Sequence, residues 1–253
     1  MYHSVSQPVD DPNRLCTSLE RFEQQMFYLK RRGLRGVSMR ELRQAVGTGS
    51  AEGLVGLTFD DGYEDFLGSA LPVLESLGFS ATVFVLAGML GGTNDWEHHR
   101  ESQPRMRLLG TDGIREVSER GFEIGSHGMN HANLTGMSAE PLRREVGESR
   151  CILEAVVGTA IEGFCYPYGF LDSTVAQIVR EEGYAYACTI FARSEFDDYD
   201  LPRLDISSED TPLTLAAKIK LLSQYLAAKR TYWRYPAIRG LVQRFKTPRK
   251  PPE

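Results

Sequence analysis

The feature that most constrains the fold of this chain is a regular alternation between short apolar runs and longer stretches with helical periodicity. The short runs are largely apolar, as expected for strands that are covered on both faces. Parallel strands need crossover connections, which are usually helices, so the alternation predicts an α/β fold with a parallel sheet. We expect strands over residues 1–5, 55–59, 81–86, 122–125, 161–166 and 184–190.

The helical stretches carry their own end signals. Glycine directly follows several of them, where the left-handed backbone that closes a helix favours this residue. Residues 88–108 are polar and without a clean period, which predicts a long surface loop of the kind that borders active sites. We expect helices over residues 18–32, 64–77, 112–120, 139–157, 173–182 and 213–228. The glycines that follow helices are Gly33, Gly78, Gly121, Gly158 and Gly183.

One domain is the expected organisation, because 253 residues with 42% hydrophobic and 25% charged side chains match a packed globular protein. A net charge of −5 gives no reason to expect nucleic acid as a partner. Residues 226–253 differ, with eight Lys or Arg against one Glu and with Tyr232, Trp233 and Tyr235 interleaved. We therefore assign residues 1–225 to the domain and 226–253 to a basic aromatic tail, which is either solvated or in contact with an anionic membrane.

Signals for export, membrane insertion and disulfide formation are missing from the sequence. The first residues lack a basic segment followed by an apolar run, so we expect a cytoplasmic protein. No apolar stretch approaches the roughly 20 residues that span a bilayer as a helix. The cysteines form no CxxC pair, so we expect reduced thiols rather than a disulfide framework. They are Cys16, Cys151, Cys165 and Cys188.

The first chemical motif, TFDDGY at residues 58–63, places Asp60 and Asp61 after an apolar run and before a helical one. Open α/β sheets and barrels bind ligands at the carboxyl ends of their strands, where such side chains converge. Adjacent aspartates in an extended segment or turn point in different directions and so can serve two roles. The alternative is that one of them caps the following helix.

The second motif, SHGMNH at residues 126–131, also follows a predicted strand. His127 and His131 stand four residues apart, a spacing at which two imidazoles can reach one metal ion. One aspartate and two histidines suit a divalent ion such as zinc and leave positions open for water and substrate. The second aspartate is then available as a base.

The third motif, FCYPYG at residues 164–169, ends another apolar run, and its proline and glycine predict a tight turn. The turn either connects a strand to a helix without further function or directs a backbone N–H toward the metal site. Such an N–H could stabilise an oxyanion.

In this order and at these separations the three motifs resemble the polysaccharide deacetylase family, the NodB-homology group also called carbohydrate esterase family 4. YHSV at residues 2–5 and LPRLD at residues 201–205 extend the resemblance. It implies a distorted (β/α) barrel, for which we expect seven parallel strands. It also implies that Asp60 is the catalytic base. The implied metal ligands are Asp61, His127 and His131, usually occupied by zinc, with cobalt, nickel and manganese as alternatives.

The activity implied by the resemblance is removal of N-acetyl groups from an acetylated amino sugar in a polysaccharide, an oligosaccharide or a lipid-linked precursor. The backbone N–H of Tyr168 is then expected to stabilise the oxyanion, and the acetylated carbohydrate is the expected partner. Two alternatives stay open. One is a carbohydrate-binding homologue without turnover, and the other is an O-deacetylase or a small-molecule amidase.

Two departures from the family pattern need replacements. Cys165 stands where the family usually has the arginine that orients the base, and Arg203 is our candidate for the missing guanidinium. No histidine follows His131, although the family's general acid lies well after the third motif. His3 is the best remaining histidine to protonate the leaving amine, with Asp205 as a further candidate. We expect His98 and His99 to be exposed in the polar loop.

Overall fold

Six short strands form one parallel sheet in which neighbours in sequence are neighbours in space. The computed structural model describes residues 1–7, 10–96, 103–190 and 197–234, and side chains as far as residue 226. The sheet comprises β3 (Thr58–Phe59), β4 (Thr82–Val85), β5 (Glu123–Ser126), β6 (Gly163–Cys165), β7 (Tyr186–Thr189) and β8 (Leu201–Pro202). A separate parallel pair comprises β1 (Arg35–Val37) and β2 (Leu54–Gly56). The expected α/β class with a curled parallel sheet is confirmed.

Helices follow most strands, as the alternation predicts. Two of the predicted helices contain a π-helical segment, Phe66–Ala70 before α3 and Arg144–Glu148 between α5 and α6. The helices are α1 (Leu19–Arg31), α2 (Met39–Thr48), α3 (Leu71–Leu77), α4 (Thr111–Glu119), α5 (Ala139–Arg143), α6 (Ser149–Val157), α7 (Ser173–Glu181) and α8 (Pro212–Arg234). Gly78 and Gly158 close α3 and α6 in the left-handed conformation, with φ of 67° and 71°.

The N-terminal segment closes the sheet without forming a regular strand. Tyr2 makes an isolated parallel bridge with Phe59 on one side. On the other side Ile206 N donates to Met1 O at 3.0 Å and Met1 N donates to Leu204 O at 2.8 Å. The segment therefore occupies the seventh position of the barrel, between β3 and the residues that follow β8. We expected a strand over 1–5 and seven strands in all. Within the described residues the barrel sheet has six regular strands, and the N-terminal segment is held in the seventh position by one bridge and by hydrogen bonds.

Four further differences from the predicted elements have local causes. The predicted strand 55–59 is divided at Leu57, because Leu57 N donates to Val37 O while Leu57 O accepts from Thr82 N. Leu57 is thus the residue at which the chain leaves the β1–β2 pair and enters the barrel sheet. The predictions also lack β1, α2 and β8, which are short or contain charged residues. A usable signal for α2 was present, since Ser38 caps it by accepting from Glu41 N.

The interior of the barrel is filled by aromatic rings and small residues. Phe84 and Tyr186 are fully buried there, together with Cys165 and Cys188. Room for the rings depends on glycine, because a Cβ on Gly125 would lie 2.5 Å from the Phe84 ring. The barrel is consequently a packed core rather than a pore, and ligands are confined to its rim.

Helix α8 runs past residue 225, where we expected the domain to end, and most of the predicted tail lies outside the described residues. The boundary between domain and tail therefore stays a prediction. Among the helices that the structure describes, none is long and apolar enough to cross a membrane.

Candidate active site

Three side chains from two motifs converge at the carboxyl ends of neighbouring strands. Asp61 follows β3, while His127 and His131 follow β5. Asp61 Oδ1 lies 3.3 Å from His127 Nε2 and 3.4 Å from His131 Nε2, and all three residues are buried. The structure thus brings together the three residues that the family resemblance implied as metal ligands.

The spacing of these three donor atoms fits a metal ion. Two ligands of a tetrahedral zinc ion lie about 3.4 Å apart when each is about 2.1 Å from the metal. Asp61 Oδ1 has no hydrogen-bond partner among the described residues, although it is buried. An unpaired buried carboxylate oxygen between two imidazoles is costly unless a cation joins them. The donor set therefore fits a divalent ion.

The backbone at two of these residues is unusual. Asp61 has φ of 70° and His131 has φ of 56°, values in the left-handed region that side-chain-bearing residues seldom adopt. Each such residue costs on the order of 1–3 kcal/mol, which the surrounding structure must offset. Strain at two converging donors is typical of a functional site.

Hydrogen bonding fixes the orientation of His127. Its Nδ1 lies 2.8 Å from the carbonyl oxygen of Cys165. Because a carbonyl oxygen only accepts, Nδ1 carries the proton, and Nε2 presents its lone pair to the metal position. His131 is held by aromatic contacts instead. The Trp96 ring stacks on its imidazole with 4.5 Å between ring centroids, and the Tyr168 ring contacts it edge-on with 4.4 Å between centroids.

Asp60, the neighbour of Asp61, forms a buried ion pair with Arg203. Arg203 Nη1 donates to Asp60 Oδ1 at 2.6 Å, and Arg203 Nη2 donates to Oδ2 at 2.7 Å. Arg203 also donates to Thr58 Oγ1 at 3.0 Å, which helps to fix the plane of the guanidinium. Burial alone would raise the pKa of Asp60, but the charge and hydrogen bonds of Arg203 lower it to about 2. Asp60 is therefore ionised at neutral pH.

Cys165 lies against this pair. Its Sγ is 3.4 Å from Asp60 Oδ2 and 3.0 Å from Arg203 Nη2. Burial raises the pKa of the Cys165 thiol, so it stays protonated and can donate to Asp60. The guanidinium that the third motif lacks thus reaches the same carboxylate from the segment after β8.

The remaining candidates border one cavity of about 780 Å³. His3 lies on its wall, and so does Asp205. Tyr168 sits in the turn Pro167–Gly169 with φ of 58° and also contributes to the wall. His98 and His99 lie outside the described residues, so their expected exposure stays a prediction.

One residue of the site was missed in the sequence. Trp96 lines the cavity and stacks on His131, although it belongs to the polar loop 88–108. Its position agrees with the expectation that this loop borders the active site. The available signal was a lone tryptophan in an otherwise polar stretch.

Together, the parallel α/β barrel and its rim define a hydrolase-type site, in which an Asp-His-His group lies beside a second, arginine-paired aspartate. The profile of the polysaccharide deacetylase family matches residues 48–187. This is more than half of the 253 residues, and the chain belongs to that family.

Individual relatives are distant. YxkH of Bacillus subtilis (strain 168) is 27% identical over 191 residues, which are 75% of this chain and 62% of YxkH. The poly-beta-1,6-N-acetyl-D-glucosamine N-deacetylase of Staphylococcus epidermidis is 22% identical over 203 residues, 75% of this chain and 68% of that protein. The chain thus spans less than two thirds of the length of YxkH and slightly more than two thirds of the length of the second relative.

Solved structures agree on the fold. The Streptococcus pyogenes deacetylase PplD, in complex with acetate, superposes with a TM-score of 0.70 at 24% identity, covering 85% of this chain and 94% of PplD. IcaB from Ammonifex degensii gives a TM-score of 0.69 at 24% identity, covering 85% and 93%. The expected NodB-type barrel is therefore confirmed.

Proposed function

We propose that this protein is a metal-dependent hydrolase that removes N-acetyl groups from an acetylated amino sugar in a polysaccharide, an oligosaccharide or a lipid-linked precursor. The observation that carries the proposal is the position of the Asp60–Arg203 ion pair beside the Asp61, His127 and His131 donors on one cavity wall. Membership of the deacetylase family supports the same reaction.

In this proposal Asp61, His127 and His131 hold one divalent ion. Zinc suits the donor set best, and cobalt, nickel or manganese suit it as well, since availability and geometry decide between them. When bound, such an ion polarises the acetyl carbonyl and lowers the pKa of water. The feature of this structure that supports a cation there is the buried Asp61 Oδ1, which has no hydrogen-bond partner in the part of the chain that the structure describes.

Asp60 acts as the base that takes the proton from the attacking water. A pKa near 2 makes it a weak base, but it is always ionised and fixed at both oxygens by Arg203. In this proposal Arg203 therefore contributes geometry rather than basicity. It replaces the arginine that the family usually carries at the position of Cys165.

Two further groups complete the reaction. The backbone N–H of Tyr168 stabilises the negative charge that develops on the carbonyl oxygen. The carbon–nitrogen bond then breaks, and His3 supplies the proton that the amine nitrogen needs in order to leave. The products are acetate and a free amine. Support for His3 comes from its place on the wall of the cavity that also contains Asp60 and Asp61.

The rings around the cavity favour a carbohydrate. Trp96 and Tyr168 line it, and Phe170 is 48% exposed with its ring centroid 6.1 Å from that of Tyr168. Exposed aromatic faces are suited to pack against the apolar face of a sugar ring. The name of the Staphylococcus epidermidis relative supports N-acetylglucosamine as the sugar.

The basic tail supports a second proposal, peripheral contact with an anionic membrane. Eight Lys or Arg against one Glu over residues 226–253 contrast with a net charge of −5 for the whole chain. A lipid-linked sugar precursor is the substrate that would be met at such a surface.

The experiment that tests the enzyme proposal measures acetate release by zinc-loaded protein. The substrates are N-acetylated sugar oligomers and lipid-linked sugars, with O-acetylated sugars and small amides in parallel. Asp60→Asn and His127→Ala should each abolish release. Asp112→Asn makes the same chemical change on a side chain that is 97% exposed and should leave release unchanged.

The alternatives give different results. Release only from O-acetyl or small-molecule substrates would replace the sugar N-deacetylase by the esterase or amidase. Sugar binding without release from any substrate would favour a carbohydrate-binding homologue.

A further inference from the structure

The segment that carries His3 is held from both sides. Tyr2 N donates to Thr58 O at 2.8 Å, and Thr17 N donates to Ser4 O at 2.9 Å. Tyr2 and Ser4 are fully buried in the wall of the barrel, whereas His3 between them borders the cavity. This is the alternation of an extended chain, so the direction of the His3 side chain depends on how firmly its neighbours are fixed.

One carboxylate contributes two side-chain hydrogen bonds to that fixation. Asp65 Oδ2 accepts from Ser4 Oγ at 2.5 Å, and Asp65 Oδ1 accepts from Val5 N at 3.0 Å. Asp65 directly precedes the segment Phe66–Ala70, although its own backbone is already helical, with φ of −62° and ψ of −16°. An aspartate just before a helix can accept from the first N–H groups of that helix. Its side chain makes no such capping bond. Both carboxylate oxygens of Asp65 instead accept hydrogen bonds from the segment that carries His3.

The sequence position of Asp65 links the His3 segment to the catalytic turn. Asp65 lies four residues after Asp61, so the turn that carries the base and a metal ligand also anchors the segment that carries the proton donor. A base and an acid on opposite sides of a reacting bond must be held at a fixed separation, because small displacements reduce the rate strongly. Asp65 joins the two sides by hydrogen bonds.

We propose that Asp65 is a positioning residue that holds His3 in place for protonation of the leaving amine. The inference rests on the proposed function, in which His3 is the proton donor. Asp65 itself does not touch the cavity wall and acts only through Ser4 and Val5.

The leaving group separates this role from a merely structural one. An amine nitrogen leaves only after it is protonated, so hydrolysis of an N-acetyl sugar depends on the acid. The phenolate of 4-nitrophenyl acetate leaves as an anion and does not need the acid. Loss of the positioning residue should therefore slow hydrolysis of the N-acetyl sugar and leave hydrolysis of the ester unchanged. Damage to the barrel or to the metal donors should slow hydrolysis of both substrates.

The test compares kcat and KM for both substrates in wild type, Asp65→Ala, Asp65→Asn, His3→Gln and the Asp65→Ala/His3→Gln double variant. General acids contribute on the order of 10²- to 10⁴-fold, and we expect Asp65→Ala to lower the N-acetyl kcat by on the order of 10- to 100-fold. KM and the ester rate should change by no more than about 2-fold. Asp65→Asn keeps one acceptor oxygen and should fall in between. In the double variant Asp65→Ala should add little to His3→Gln.

Asp172→Ala is the matched control, because Asp172 accepts from Val175 N as the cap of α7. It should lower stability without changing the ratio of amide to ester turnover. Parallel loss of both activities in Asp65→Ala, or an additive double variant, would refute the positioning role.

Hydrogen–deuterium exchange keeps the two proposals apart. The N-terminal peptide should exchange faster in Asp65→Ala than in wild type or in Asp172→Ala, whether or not acetate is released. If the wild type releases no acetate but Asp65→Ala still exchanges faster, the deacetylase proposal is rejected while the anchoring contact is retained. Unchanged exchange would reject the anchor. If His3→Gln has no effect on amide turnover, the assignment of His3 fails, and with it the positioning role.

Discussion

Replacing Arg203 with methionine tests the buried ion pair of the site. Asp60 is 3% exposed and Arg203 7%, and two hydrogen bonds of 2.6 and 2.7 Å join them. The pKa of Asp60 moves from 3.8 to about 2, which corresponds to roughly 2 kcal/mol of stabilisation at neutral pH. Methionine removes this and leaves a buried carboxylate without its guanidinium, for which about 3–5 kcal/mol is typical.

We therefore expect Arg203→Met to lower the free energy of unfolding at pH 7 by about 3–5 kcal/mol, measured by urea denaturation. Among molecules that stay folded, acetate release should fall on the order of 10²-fold, because the base loses its fixed orientation. Arg203→Lys keeps the charge without the planar fork and should lose activity as well. The double variant Asp60→Asn/Arg203→Met removes both charges and should regain stability but not activity.

The pH dependence has a definite sign. In the wild type the folded pKa of Asp60 lies below its unfolded value, so its stabilisation is present above the unfolded pKa and is lost as the pH falls toward about 2. In Arg203→Met, burial is no longer opposed by the guanidinium, so the folded pKa rises and the penalty fades on acidification. The difference in stability between the two proteins should shrink as the pH falls. Equal stability and equal activity at pH 7 would refute the reasoning.

Three other predictions concern the metal, the core and the tail. His131→Ala should weaken zinc binding, measured by calorimetry, by more than the roughly 10- to 100-fold that loss of an outer-shell partner costs. Gly125→Ala should lower the free energy of unfolding by about 1–3 kcal/mol, because the new Cβ would lie 2.5 Å from the Phe84 ring. The full chain should sediment with phosphatidylserine-rich vesicles more than with phosphatidylcholine vesicles, and salt or replacement of basic residues within 226–253 by glutamine should weaken this.

Each of these has a control or an opposing result. Gly47→Ala lies in α2 with nothing within 4 Å of its Cβ, and it should stabilise rather than destabilise the fold. Zinc affinity unchanged in His131→Ala would remove this residue from the ligand set. Equal sedimentation with both vesicle types would leave the tail without a membrane role.

Local sequence patterns were sufficient for the elements that carry the motifs. The apolar runs before Asp60 and His127 predicted strands, and parallel strands bring their carboxyl ends to one edge. That rule places both Asp60 and Asp61 near the two histidines, and the family resemblance then implied Asp61 as the ligand. The patterns failed for β1 and β8, because strands of three and two residues are too short to show a period.

The contacts between distant segments were outside the reach of any pattern. Arg203 and Asp60 are separated by 143 residues, and Ser4 and Asp65 by 61. Sequence reasoning could name Arg203 as a candidate only because the family's usual arginine is missing at Cys165. The orientation of the guanidinium depends on β8 and the closing segment, which are positioned by tertiary hydrogen bonds.

The sequence by itself thus determined the α/β class, through periodicity, and the family resemblance, through short motifs at strand ends. The expected donors Asp61, His127 and His131 came from that resemblance. The tertiary structure decided how the ring is closed and which arginine pairs with Asp60. It also decided that the His3 segment is tied to Asp65. The physical reason is that closure of the ring joins residues from opposite ends of the chain, and their pairing depends on packing rather than on neighbouring sequence.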